Sequence, residues 1–358
     1  MKRQYNIDKN HIEYILDTVT KAECYDDAVL LMYLKDCLKH NFNNQKYGTD
    51  FCDLDLLNDL KIQCNHLSKC RPFYPIVKKF GTGCLLLDGS EYKANFKRII
   101  LPEKDSVDLS EEFFHECGPF FSNAFKFFKE DAKDHLKFIS PSRCSTGEIY
   151  YVESTGDYFM FIPRYNNITR TTTLLHEIEH FLDIVNRDSF RFQSLINECS
   201  AIFMEMIGCD WIADKLKAGR DNIKARFAIH TLIKTESLDI VARNNFLSFV
   251  DKHCDLEDKD LIEKLCVYGY NQDDLYYFLG TSLDHDYCCQ ISYLIAIELY
   301  TIYQQDKEKA LFILKHIIMF GTNSNILSML NKFNIRLNTN AVKYELDMCL
   351  ALAKKKED

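Results

Sequence analysis

The tightest constraint on how this chain can fold lies in residues 171–185, TTTLLHEIEHFLDIV, where two histidines and two glutamates sit among Leu174, Leu175, Ile178, Phe181, Leu182 and Val185. A helix with this pattern is apolar on most of its sides and belongs inside the protein. Burying imidazoles and carboxylates together is costly unless their charge is offset, and a divalent cation is the direct offset. His176 and His180 are four residues apart, which puts both rings on one helix face, as two corners of a zinc tetrahedron require. Glu177 then falls beside the metal position, placed to take a proton from water as a general base. Glu179 is expected to point away from that face, as a surface or salt-bridged residue.

A third ligand comes from the next helical run, SLINECSAIFMEMIGCDW, in which Glu198 lies eighteen residues after His180. That is room enough for a second helix to fold back on the first. His176, His180 and Glu198 would hold one Zn2+ per chain and leave its fourth position open, the mark of a catalytic site. Glu205, two turns beyond Glu198, and Asp183, three residues beyond His180, share the metal-facing sides of their helices. Either can orient a ligand histidine from behind, and spacing does not separate the two.

Apolar residues recur at helical spacing through long stretches, and 12 glycines and 6 prolines in 358 residues leave few interruptions. A mainly α architecture follows, with helices expected over about 10–40 in two pieces, 51–68, 109–136, 170–186 and 189–217. Between 147 and 165, GEIYYVESTGDYFMFIPRY carries two β-rich runs about Ser154–Asp157, which predicts a hairpin just ahead of the histidine motif. A soft division near residue 140 gives a helical N-terminal lobe, 1–140, and a catalytic lobe, 141–358. The strand Asp157–Tyr165 offers an edge on which an extended peptide could pair.

The charge of −9 is spread along the chain and gives no basic face for nucleic acid or an anionic membrane surface. No run of about 18 apolar residues suggests a spanning helix, and the first residues lack the pattern of a secretory signal. Fifteen cysteines, an odd number without a CxxC pair, read as reduced thiols, Cys288 and Cys289 among them. A soluble, cytoplasmic protein is expected.

The run YFMFIPRYNNITRTTTLLHEIEH, with Glu198 and Glu205 spaced as ECSAIFME, resembles the oligopeptidase F and thimet oligopeptidase family of zinc peptidases. There an apolar strand, a threonine-containing turn and an HExxH helix follow one another, with a glutamate ligand and a second glutamate on the next helix. The resemblance covers roughly residues 150–305. It implies a multi-helix zincin-type fold with a substrate cleft between helical lobes, and endopeptidase action on short unstructured peptides. It also implies that a tyrosine-rich segment assists at the substrate carbonyl, a role carried in LDHDYCCQISYLIAIELY by His285, Tyr287 and Tyr293. The alternative is a non-catalytic metal- or peptide-binding protein that keeps the peptidase fold.

Overall fold

The computed structural model describes residues 101–131, 136–140, 147–152, 157–165, 168–185, 194–216, 249, 252–253, 256–269, 283–322 and 325–337. The helices expected over 10–40 and 51–68 lie outside these residues, as do the side chains of Cys288 and Cys289. In chain order the elements are α1 (Glu103–Glu116), α2 (Pro119–Asp131), β1 (Leu136–Ile139), β2 (Glu148–Val152), β3 (Asp157–Pro163), α3 (Ile168–Val185) and α4 (Ser194–Lys215). There follow α5 (Asp258–Val267), α6 (Leu283–Gln305), α7 (Lys307–Phe320) and α8 (Ile326–Lys332). The described residues are mainly helical with one small sheet, and none of the described helices is long and apolar enough to cross a membrane.

The stretch 109–136, expected as one helix, is divided. Gly118 takes φ +106, a conformation closed to most side chains, and Pro119 starts a new helix where its missing N–H costs nothing. The α1–α2 pair that results packs on α3.

Three strands form the sheet, in the order β1-β3-β2. β2 and β3 pair antiparallel, Val152 opposite Asp157, which is the hairpin expected from the sequence. β1 was not expected: it pairs parallel with β3, Leu136 opposite Met160 and Ile139 opposite Pro163. β3 is therefore the central strand, and the expectation that Asp157–Tyr165 presents a free edge is corrected. A four-residue strand more than twenty residues away in sequence takes that edge, and such a distant pairing leaves no local signal. Met160, Phe161 and Ile162 are buried, consistent with a strand flanked on both sides.

The core runs along α4, which packs between α3 and α6. Gly208 makes the approach to α3 possible: a Cβ there would stand 2.3 Å from Leu175 Cδ1. The N-terminal end of α3 is fixed by polar contacts rather than apolar ones. Fully buried Arg170 donates from Nε to Ser106 Oγ at 3.1 Å and from Nη2 to the Leu101 carbonyl, and Thr171 Oγ1 donates to Ser106 Oγ at 3.0 Å. These bonds join the first turn of α3 to the first turn of α1 and leave the histidine helix one axial position. At the far end of the core, Asp306 caps α7 by accepting from the Lys309 N–H at 3.0 Å.

Candidate metal centre

On α3, His176 and His180 meet edge to face, with their Nε2 atoms 3.1 Å apart. α4 brings Glu198 to the same point: its carboxylate oxygens stand 3.6 Å from His176 Nε2 and 3.5 Å from His180 Nε2. Ligands about 2.0–2.1 Å from a tetrahedral zinc lie about 3.3 Å from one another, so these separations are those of three ligands around one ion. Among the described residues this is the group that combines three such donors within 4.8 Å. Its donor chemistry, two imidazoles and one carboxylate, suits zinc. His180 and Glu198 are buried, while the His176 side chain keeps 20% of its surface exposed, so the group is reached from one side.

Seven residues along α4, Glu205 places Oε2 3.3 Å from His176 Nδ1. A hydrogen bond there puts the imidazole proton on Nδ1 and leaves Nε2 to donate to a metal. Of the two carboxylates that shared the expected supporting role, Glu205 thus stands behind His176. Asp183 accepts from Ser200 Oγ at 3.0 Å and so ties α3 to α4 one turn beyond His180.

The electrostatics of the pocket also suit a cation. Burial works against a charge on His176, but the hydrogen bond to Glu205 and the charges of Glu177, Glu198 and Glu205 outweigh it and lift the imidazole to about 9. Glu177 is 5% exposed; burial, aided by Glu198, Glu148 and Glu205 and opposed by His176, pushes it up to about 8. A carboxyl group poised there can both accept and return a proton near neutral pH.

Glu179 departs from expectation. It is fully buried, neither carboxylate oxygen has a hydrogen-bond partner, and burial together with neighbouring Asp183 pushes it well above the usual carboxylate range. Cys117 at the end of α1 and Cys199 on α4 lie close enough to feel its charge, so Glu179 faces packed helices rather than water. Cys199, the neighbour of Glu198, is a buried free thiol held high by burial, so it is neutral and not the thiolate a fourth protein ligand would be.

The remaining predicted residues lie on α6, which packs along α4. Tyr293 is partly buried against the core. The backbones of His285 and Tyr287 belong to the first turns of α6, and their side chains lie outside the described residues. Two residues were missed from the sequence. Glu148, first in β2, adds its charge to the field at Glu177, and Gly147 before it lies directly against the Glu177 side chain. A glycine at the start of an alternating strand was the available signal for a close backbone approach.

A three-stranded sheet ahead of the helix that carries His176 and His180, with Glu198 returned to it by the next helix, defines a mainly helical architecture with a small sheet. In particular, the fold is that of oligoendopeptidase F and PZ peptidase structures. PZ peptidase A with an inhibitor superposes with TM-score 0.52 at 11% identity, covering 95% of this chain and 67% of that one. An oligoendopeptidase F from Bacillus anthracis str. Ames gives 0.50 at 14%, covering 92% and 62%. A further oligoendopeptidase F structure gives 0.51 at 14%, covering 96% and 66%. The chain thus spans about two thirds of the length of the structures it matches. The sequence matches no family profile and no curated protein.

Proposed function

We propose that this protein is a zinc-dependent peptidase that cleaves short, unstructured peptides internally. The observation that carries the reading is the convergence of His176, His180 and Glu198, with their ligand atoms within 4.8 Å of one another, beside the buried carboxyl group of Glu177. The fold shared with peptidase structures points the same way.

In this reading His176, His180 and Glu198 hold the ion. A zinc ion there supplies a Lewis acid and lowers the pKa of water. Glu205 keeps the His176 proton on Nδ1 and so keeps Nε2 available. Glu177 takes a proton from the attacking water and later delivers it to the leaving amine nitrogen, so that no net proton is lost by the protein. Its burial keeps bulk water from competing for that proton. His285, Tyr287 and Tyr293 on α6 are assigned, by resemblance, to hydrogen-bond the oxygen that gains charge as the carbonyl is attacked, a role worth about 2.7–4 kcal/mol per donor. With β3 enclosed, a peptide pairs instead along β2, which forms the sheet margin nearest Glu177. No nucleic acid or membrane partner is part of this reading. A reducing, cytoplasmic setting suits the free thiols of Cys117, Cys199, Cys209 and Cys266.

The test is zinc content and hydrolysis of a peptide library, wild type against Glu177→Gln. One zinc per chain in both proteins, with full cleavage in the wild type and only a residual rate in Glu177→Gln, is the expected result. Zinc in both and cleavage in neither would instead establish a metal-binding protein that keeps the fold.

A further inference from the structure

The Glu177 side chain has a backbone wall. Gly147 precedes β2, and the pleat puts it on the same sheet face as Ile149, which packs on the core. That face meets the stripe of α3 formed by Thr173 and Glu177, four residues apart. A Cβ at position 147 would stand 2.4 Å from Glu177 Oε1, 2.7 Å from Glu177 Cγ and 2.5 Å from Thr173 Cγ2. All three distances are far inside van der Waals contact, which for carbon begins at about 3.5 Å.

We propose that Gly147 is a positioning residue: its bare backbone fixes where the carboxylate of the general base sits. Resting on the peptidase reading above, the argument turns on which neighbour must give way. Thr173 is β-branched and stiff at χ1, so its methyl group cannot swing aside. The strand is held at the next residue by the pairing of Glu148 with Phe161. The Glu177 side chain is the soft partner, and its terminal carboxylate yields by rotating about its own bonds. A methyl group at position 147 therefore displaces the group that handles the proton, and its 2.5 Å approach to the stiff Thr173 methyl carbon adds a cost in stability. The three atoms nearest to that Cβ belong to Glu177 and Thr173, so the general base meets the added methyl group before the metal ligands do.

Such a displacement lowers kcat and spares both zinc and substrate binding. The experiment uses the full chain and a quenched fluorescent unstructured peptide, with zinc content and thermal midpoint measured beside kcat and KM. For Gly147→Ala the expected result is one zinc per chain, KM within about twofold and kcat down about ten- to a hundredfold. Thr173→Ser removes the stiff methyl, and the double variant Gly147→Ala/Thr173→Ser should regain part of the lost kcat. In a Glu177→Gln background, Gly147→Ala should cause no further loss, because the two act through one group. Should Gly147→Ala not fold, the less crowded double variant carries the same expectation against Thr173→Ser alone. Wild-type kcat in Gly147→Ala, loss of zinc along with activity, or a full additional loss on top of Glu177→Gln would each overturn the inference while the peptidase reading stood. A wild type that hydrolyses no peptide overturns both.

Discussion

In the proposed metal site zinc and a proton compete for His176, and the surrounding charges set the terms. In the metal-free protein the imidazole is lifted from 6.5 to about 9, so at pH 7 a proton occupies it and must leave before Nε2 can bind a metal. The apparent affinity at pH 7 is then reduced about a hundredfold from its value above pH 9, equivalent to about 3 kcal/mol. An imidazole at its ordinary value would show almost no such loss at pH 7. Titrating zinc against a chelator from pH 7 to 9.5 should give an affinity that rises at least tenfold per pH unit below pH 8 and levels off near pH 9. Calorimetry in buffers of different ionisation enthalpy should detect about one proton released from His176 per zinc at pH 7, with a further contribution from Glu177, lifted to about 8. Because the hydrogen bond to Glu205 raises His176, Glu205→Gln should move the plateau to lower pH. An affinity that is flat between pH 7 and 9, or a plateau that stays in place in Glu205→Gln, would refute the assignment of Glu205 and the charge balance drawn around His176.

The same two groups make the metal-free protein most stable at the acidic end of this range. Both folded pKa values are raised, so the stability they contribute is present below the unfolded values, 4.5 and 6.5, and lost as pH rises through about 8 and 9. The thermal midpoint without metal should fall from pH 6 to pH 9, and a midpoint that rises would reverse the reasoning. Glu179→Met, which replaces a buried carboxyl group without hydrogen-bond partners by an apolar chain of similar length, should stabilise the protein by about 1–3 kcal/mol with zinc content unchanged, as read from denaturant midpoints. Arg170→Met strands the Leu101 carbonyl, leaves Ser106 Oγ with the Thr171 hydroxyl alone as donor, and should cost about 3 kcal/mol, while an unchanged midpoint would show that the Arg170 link from α3 to α1 carries no energy.

Much of this site was legible because its signals are local. HExxH fixes two ligands and a base through the pitch of a single helix, and the seven-residue spacing of Glu198 and Glu205 holds within α4 for the same reason. Mainly helical content and the β2–β3 hairpin follow equally from short-range pattern. The fate of Glu179 did not, since whether a helix face meets water depends on which other elements cover it, and Cys117 and Cys199, which lie near Glu179, come from 62 and 20 residues away. Nor did β1, whose parallel pairing with β3 moved that margin of the sheet from β3 to β1 and left β2 as the other.

By itself, then, the sequence singled out the candidate metal-binding atoms and the candidate proton carrier, because both follow from residue identity and helical period. The tertiary structure alone decided that Glu198 closes on the histidines, that Glu205 rather than Asp183 stands behind His176, and that Gly147 lies against Glu177. Those relations depend on how separate elements pack, and packing is set by shape and burial summed over the whole core rather than by any one segment.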